Sequence, residues 1–486
     1  MDDQTPPITT RTTRTRSGQA KAMPATVAED ATPSIPAPTG CLVGDSLVMT
    51  SRGLVRLRGL GDPAGGRWQN LDLEVATDEG PRAATKFYVN GAKPVVTVET
   101  NRGYRMQGTT LHRIKVLTLD GTWRWRRFSD VRAGDRVPMM IGGMVGEPNA
   151  VRLHRLPEGR RSPEDHVRVP GYMTGGLAEL LGYFMGDGWL HAKGVHFRVS
   201  GGDVDVVDRL TGLGHRLFGI DAVCTAKTGS TEVAFPSVRI ALWWEACGFA
   251  KHATEGKTGK GRGVHVPDAV LATNNRDVYA AFVRGLFEAD ATTGAGYPSF
   301  VTATESFSRD VQTILLALGL VTTRRVDGAG AEGAGPREMF VLRLLNAATT
   351  ARFGEQVGCI SARKRALCTA AGHLQTARHD QVPVTRRMIN ALSQENDSLR
   401  RAMLLSHSRT ATVSRQTATQ LLERTADVEL KHILDFFYDE VRSAELGDTR
   451  FTYDISVPEN VTYIANGFVS HNTIGSMMDC ATSGCS

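Results

Sequence analysis

Residues 41–48 read CLVGDSLV, and residues 463–473 read YIANGFVSHNT. Both are β-branched and punctuated by Gly, yet they stand at opposite ends of a long chain. From Cys41 to about Pro138, runs such as SLVMT, LEVAT, VVTVET and HRIKVLT alternate with turn signals, among them Asn90-Gly91 and Asp120-Gly121. That spacing predicts an all-β module built from hairpins. The end of the chain returns to this texture in YDEVRSAEL, FTYDISV and VTYIANGFVS, which read as strands with turns between them. The middle differs. LAELLGYFMGD (177–187), VYAAFVRGLFEAD (278–290) and RDVQTILLALGL (309–320) carry helical periodicity, and the first two are each followed by Gly turns and strand-like runs. The expected fold is mixed: a β module split by an inserted α+β domain with two related halves.

Composition narrows the function. The chain has 486 residues, 41% of them hydrophobic, enough for more than one core. Lys+Arg 57 against Asp+Glu 51 permits nucleic-acid binding without requiring it. Seven scattered cysteines without a CxxC pair argue against a disulfide framework or a structural zinc site, and point to a reducing cytoplasm. The apolar run VQTILLALGLV (311–321) is too short to span a bilayer, so no membrane association is expected. The Thr-, Pro-, Ala- and Arg-rich residues 1–40 read as a flexible leader without a signal-peptide core.

The two β-rich ends carry reactive groups in a telling order. Gly40-Cys41 places a thiol where it can attack the Gly40 carbonyl and convert an amide to a thioester. GTTLHRI sets Thr109 and His112 in Thr-x-x-His spacing, and the imidazole can polarise that amide and protonate its leaving nitrogen. Asp454, in TYDISV, can orient or tune a nucleophile. The module ends in His471-Asn472-Thr473. The Asn472 carboxamide can attack its own backbone carbonyl and cut the chain there, while the Thr473 hydroxyl can receive an acyl group.

Four blocks together, CLVGDSLV, GTTLHRI, TYDISV and YIANGFVSHNT, resemble inteins of the Hedgehog/intein (HINT) fold. The resemblance implies a horseshoe-shaped β module and autocatalytic protein splicing. Cys41 forms the thioester, Thr473 takes over the acyl chain, Asn472 cyclises, and the ester rearranges to a peptide bond. By position, Thr109 and His112 match the activators of the first step, His471 the assistant of Asn cyclisation, and Asp454 the coordinating aspartate. No cofactor is implied for splicing, and the flanks (exteins) act in cis. One departure is Val461, where many inteins hold a His.

LLGYFMGDG (180–188) and VRGLFEADA (283–291) resemble the two motifs of a LAGLIDADG homing endonuclease. Gly182 with Gly186, and Gly285 with Ala289, repeat small residues at a spacing that lets two helices approach closely. Asp187 and Asp290 then fall side by side at the helix ends, where they can hold Mg²⁺ over phosphodiester bonds. FRVSGGDVDVV and PSFVTATES are expected as sheet strands facing double-stranded DNA. Two departures are Ala291 in place of the closing Gly and His265 in place of a Lys; Lys257, Lys260 or Lys364 are the candidates for the basic catalytic group.

The predicted organisation is an N-extein leader (1–40), the first half of the splicing domain (41–140), a linker (141–171), the endonuclease domain (172–370), a helical accessory region (371–430), the second half of the splicing domain (431–472) and a C-extein (473–486). The accessory region reads equally as DNA-contacting or as a solvated cover. A monomer is expected. The joined flanks, PTG followed by TIGSMMDC, resemble adenosylcobalamin-dependent (class II) ribonucleotide reductase. Two competing readings are a HINT autoprocessing domain with a decayed DNA-binding insert and a remnant of that reductase.

Overall fold

The computed structural model describes residues 40–118, 121–156, 166–251, 263–292, 298–329, 337–372, 380–392, 397–410 and 412–472. All of them lie in one compact unit, Ala37–Ser486.

The first strands follow the β-branched runs: β1 (Leu42–Val43), β2 (Leu47–Thr50), β3 (Gly53–Arg56), β4 (Trp68–Thr77), β5 (Gly80–Thr100), β6 (Arg105–Thr109), β7 (Arg113–Leu117), β8 (Trp123–Arg127) and β9 (Arg136–Met140). Among the described residues, the next long stretch is helical and holds two repeats of one order. The first repeat runs α1 (Gly175–Asp187), β10 (Gly188–His191), β11 (Gly194–Ser200), α2 (Val204–Phe218), β12 (Val223–Lys227), β13 (Ser230–Pro236) and α3 (Val238–Ala246). After the short α4 (Asp268–Leu271), the second runs α5 (Arg276–Asp290), β14 (Ala291–Thr292), β15 (Ser299–Thr302), α6 (Glu305–Ala317), β16 (Thr322–Ala329), β17 (Arg337–Leu344) and α7 (Ala347–Gln356). Their four-stranded sheets share a pattern, β10-β11-β13-β12 and β14-β15-β17-β16.

Then come α8 (Ala362–Gly372), β18 (Gln381–Pro383), α9 (Arg386–Leu392), α10 (Asp397–Thr410), β19 (Thr412–Ser414), α11 (Arg415–Thr425) and α12 (Val428–Leu434). The region expected to be purely helical thus also holds the β18–β19 pair. The chain closes with β20 (Phe436–Ser456), β21 (Thr462–Ala465) and β22 (Phe468–His471).

These last strands join the first ones in a 12-stranded sheet, so sequence from both ends of the chain builds one layer. Its spine is the antiparallel pair of two 21-residue strands, β5 and β20. Here the hairpin expectations need correction. Asn90-Gly91 is not a turn: it lies within β5, where Gly91 adopts φ +86 and the register shifts opposite Thr452–Tyr453. An Asn-Gly pair suits such a bulge because only the second residue must enter the left-handed region. YDEVRSAEL and FTYDISV likewise form one bulged strand, not two. The β7–β8 hairpin does form, closed by Gly121 N–H to the Thr118 carbonyl; Asp120 lies outside the described residues. Of the expected strands FRVSGGDVDVV and PSFVTATES, only FRVS and SFVT are extended, and the residues after them lead into α2 and α6.

The β module and the insert share cores. Leu316 and Val321, from the insert, are buried among Ile114, Met139, Tyr463 and Phe468 of the β module. Ile464 and Val469, from the β module, belong to the insert's cluster. Among the described residues, no helix is long and apolar enough to cross a membrane.

Candidate functional site

Cys41 stands immediately before β1 and is fully buried beside Tyr88 and Trp68. Two bonds fix it against β6. Its N–H donates to Thr109 Oγ1 at 3.0 Å, and its carbonyl accepts the Thr109 N–H at 2.9 Å. The N–H of His112 turns back onto the Thr109 carbonyl at 3.0 Å, so the Thr-x-x-His spacing forms a tight turn off the end of β6. The His112 ring is buried, and its Nε2 lies 2.9 Å from Ser470 Oγ on β22. Burial, then the neighbouring His471, pull the His112 pKa down to about 3, while a contact with the Gly40 backbone acts the other way. His112 is therefore neutral at physiological pH, and it touches both edges of the segment.

Asp454 is buried on β20, one residue beyond the Leu42–Tyr453 pair that docks β1. Its Oδ1 accepts the Tyr463 hydroxyl at 3.0 Å and the Ile455 N–H at 2.9 Å. Burial, and next the Asp454 charge, raise the Cys41 thiol well above its ordinary value, with Arg67 and Lys93 opposing. Cys41 is thus a thiol, not a resting thiolate.

The other edge is built by the β21–β22 hairpin. His471 packs edge-on against Trp125, ring centres 4.7 Å apart, and burial followed by Arg113 lowers its pKa to about 4. Asn472 is fully buried, and its N–H donates to the Val461 carbonyl at 2.8 Å. Val461 holds this position with φ +53, a left-handed conformation that costs a β-branched residue roughly 1–2 kcal/mol. Thr473 lies outside the described residues. Tyr463, Ser470 and Trp125 were not singled out from sequence; isolated hydroxyl and aromatic residues carry no spacing signal there.

A second cluster forms where α1 crosses α5. A Cβ added at Gly182 would lie 1.9 Å from the Phe282 carbonyl oxygen, and one at Gly285 would lie 1.9 Å from that of Glu179. The backbones touch, and no larger residue fits. Toward the C-terminal ends of the helices, a Cβ at Gly186 would meet the Ala289 methyl at 2.5 Å and Asp290 Oδ2 at 3.1 Å. Asp290 therefore reaches the last turn of α1, which ends in Asp187. Burial raises the Tyr183 pKa, and Asp187, Glu288, Asp203 and Asp290 raise it further. Among the described residues, no group of three or more His, Cys, Asp or Glu could hold a metal ion.

Lys364 does not present a free ammonium group. It is buried, donates to the carbonyls of Phe287 (2.9 Å) and Glu288 at the end of α5, and lies 3.6 Å from Glu288 Oε1. Lys251, which sequence reading passed over, does the same for α1, donating to the carbonyls of Gly186 (3.0 Å) and Gly188 (2.8 Å). Only the internal repeat could have flagged it. Lys257 and Lys260 lie outside the described residues. Both ring nitrogens of His265 are within 3.1 Å of backbone carbonyls, those of Gly248 and Gly263. Ala291 opens β14 opposite Phe300. A cavity of about 450 Å³, lined by Arg56, Arg105, Glu305, Arg309, Asp310 and also His265, lies between the β module and the insert and is not lined by Cys41, His112, Asp187, Asp290 or Asn472.

Comparison with known proteins gives three kinds of likeness. The replicative DNA helicase DnaB of Rhodothermus marinus is 25% identical over 90% of this chain and 46% of the helicase. The chain spans about half the length of the helicases it matches. A DNA gyrase polypeptide of Mycobacterium malmoense is 26% identical over 89% of both chains. Among solved structures, the homing endonuclease I-DmoI aligns with TM-score 0.29 and 15% identity over 38% of this chain and 95% of its own. A DnaB intein from Synechocystis sp. PCC 6803 aligns with TM-score 0.17 and 24% identity over 21% of this chain and 68% of its own. The intein splicing domain family matches residues 49–472, most of the chain, and the chain belongs to that family.

Proposed function

We propose that the chain splices itself, excising residues 41–472 and joining residue 40 to residue 473. The observation that carries this reading is the position of His112, which contacts the Gly40 backbone on one side and Ser470, two residues before Asn472, on the other. In the first step Cys41 Sγ bonds to the Gly40 carbonyl carbon, the Gly40–Cys41 amide bond breaks, and the thiol proton ends on the freed amine. Thr109 Oγ1 holds that nitrogen, and neutral His112 is the proton carrier. Asp454 keeps the thiol protonated until it reacts. The Thr473 hydroxyl then attacks the thioester and releases Cys41. Asn472 Nδ2 closes on its own carbonyl carbon, the bond to Thr473 breaks, and the freed amine takes the acyl group from the Thr473 oxygen.

The insert is proposed to be a LAGLIDADG endonuclease that cuts double-stranded DNA, with Asp187 and Asp290 as its carboxylates. The approach of Asp290 to α1, and the rise of the Tyr183 pKa through burial and then Asp187, Glu288, Asp203 and Asp290, fit a divalent cation such as Mg²⁺. That ion would polarise a phosphodiester and lower the pKa of a bound water. Lys251 and Lys364 hold the carbonyls at the two helix ends and so position the carboxylates. A HINT horseshoe for the 41–140 and 431–472 segments, a monomer and a cytoplasmic location complete the proposal; the five described cysteines are free thiols, which suits a reducing compartment. The reductase likeness rests only on flanking residues outside those described, and we assign this chain no reductase role.

Mass spectrometry of the purified precursor tests the splicing reading. The expected products are the 41–472 fragment and the joined flanks; an intact precursor with reduced Cys41 contradicts it.

A further inference from the structure

His471 sits in a closed ring of contacts. It pairs with Thr462 across the β21–β22 hairpin. Thr462 Oγ1 donates to Asp78 Oδ1 at 2.6 Å. The other Asp78 oxygen pairs with Lys115 Nζ, and both side chains are largely buried. Lys115 Nζ lies 5.4 Å from the ring centre of Trp123 and 5.2 Å from that of Trp125, within cation–π range. Lys115 and Trp125 also face each other across the β7–β8 hairpin. Trp125 returns to His471 with rings almost perpendicular, at 81°.

We propose that Trp125, clamped by the Asp78–Lys115 pair, positions the His471 imidazole for cleavage after Asn472. The proposal rests on the splicing reading above. His471 needs such a clamp more than usual, because the chain has Val461 where the family resemblance expects a second imidazole. With Val461 contributing only its carbonyl, His471 is the adjacent imidazole that takes the carboxamide proton as Asn472 Nδ2 attacks the carbonyl carbon and the bond to Thr473 breaks. A perpendicular indole face blocks rotation of that imidazole. Burial, then Arg113 and the ammonium of Lys115, disfavour protonation of the ring, against a backbone contact with Asn472, so it stays able to accept a proton.

The test uses the full precursor and measures its two junctions separately: thiol-induced cleavage at Cys41 and spontaneous cleavage after Asn472. Trp125→Ala is expected to slow the second at least tenfold and to leave the first within about twofold; Trp125→Phe, which keeps a ring face, restores most of the loss. Lys115→Met is expected to raise the His471 pKa, moving the acid limb of the C-terminal cleavage profile to higher pH. Cleavage after Asn472 at the wild-type rate in Trp125→Ala, or an unmoved acid limb in Lys115→Met, overturns the proposal. Equal loss at both junctions in a variant of wild-type circular dichroism also overturns it. If the wild-type chain itself does not cleave after Asn472, the splicing reading is what fails.

Discussion

The Thr109 hydroxyl accepts the backbone N–H of Cys41 at 3.0 Å, and that nitrogen belongs to the peptide bond joining Gly40 to Cys41. That bond holds the leaving nitrogen in place away from water, since Cys41 and Thr109 are both buried. Losing it should raise the barrier by about 1–3 kcal/mol, or roughly five- to 150-fold in rate. Thr109→Val, nearly isosteric, is expected to slow thiol-induced cleavage at Cys41 by that factor. An unchanged rate would mean that Thr109 serves only to close the β6 end.

The His112 pKa near 3 makes a statement about stability. An unfolded imidazole titrates near 6.5, so between these values the unfolded chain binds a proton that the folded chain refuses. The contribution of His112 is therefore complete above about pH 6.5 and is lost progressively as pH falls toward 3. His471, lowered to about 4, adds in the same direction. His112→Gln is expected to flatten the fall in stability between pH 6 and pH 4, followed by urea denaturation at each pH. A parallel fall in the variant would place the acid sensitivity in other groups.

Much of this was legible in the sequence, for physical reasons that differ by residue. The α1 and α5 motifs were readable because close helix contact demands small residues at fixed spacing, and Gly182 and Gly285 meet that demand at 1.9 Å. Cys41 and Asn472 stand out in the sequence because the proposed chemistry restricts both residue type and order. The spine of the sheet was not. Asn90-Gly91 has the local signature of a turn, and only pairing with β20, hundreds of residues away, holds it as a bulge. Ser470 and Trp125 matter through partners brought together by the fold, and neither residue type announces that. Lys251 was hidden because its role is to hold carbonyls, which any Lys near a helix end can do.

Gly285→Ala separates contact from propensity. In a free helix interior, this change stabilises by about 0.5–1 kcal/mol. Here the new methyl would sit 1.9 Å from the Glu179 carbonyl oxygen, so α1 and α5 must part. Overpacking of this kind costs about 1–3 kcal/mol. A lower melting temperature is expected, together with loss of DNA cutting as Asp290 withdraws from α1. A rise in melting temperature would show that the helices have room to spare.

The two carboxylates give a measurement that does not depend on cutting. A divalent cation held by Asp187 and Asp290, as proposed, would stabilise the folded protein. Added Mg²⁺ is expected to raise the melting temperature of the wild-type protein, and EDTA to reverse the rise. Asp187→Asn/Asp290→Asn should show no response to the metal, while losing DNA cleavage and keeping DNA binding. A Mg²⁺ response that persists in the double variant would move the ion to another site.

Val461 carries Asn472 on its carbonyl at the expense of its own backbone. The residue sits at φ +53, where branching at Cβ crowds the carbonyl, yet its oxygen receives the Asn472 N–H at 2.8 Å. The contact is made by backbone alone, so the side chain can change without removing it. Asn tolerates the left-handed region, and Val461→Asn is expected to stabilise the protein by up to about 1 kcal/mol without altering cleavage after Asn472. Val461→His has a different consequence. It restores an imidazole beside the scissile bond, and a second proton carrier should speed C-terminal cleavage several-fold while leaving thiol cleavage at Cys41 unchanged. If Asn and His variants accelerate the C-terminal step equally, relief of backbone strain and not proton transfer limits that step, and the demand on His471 is smaller than the geometry implies.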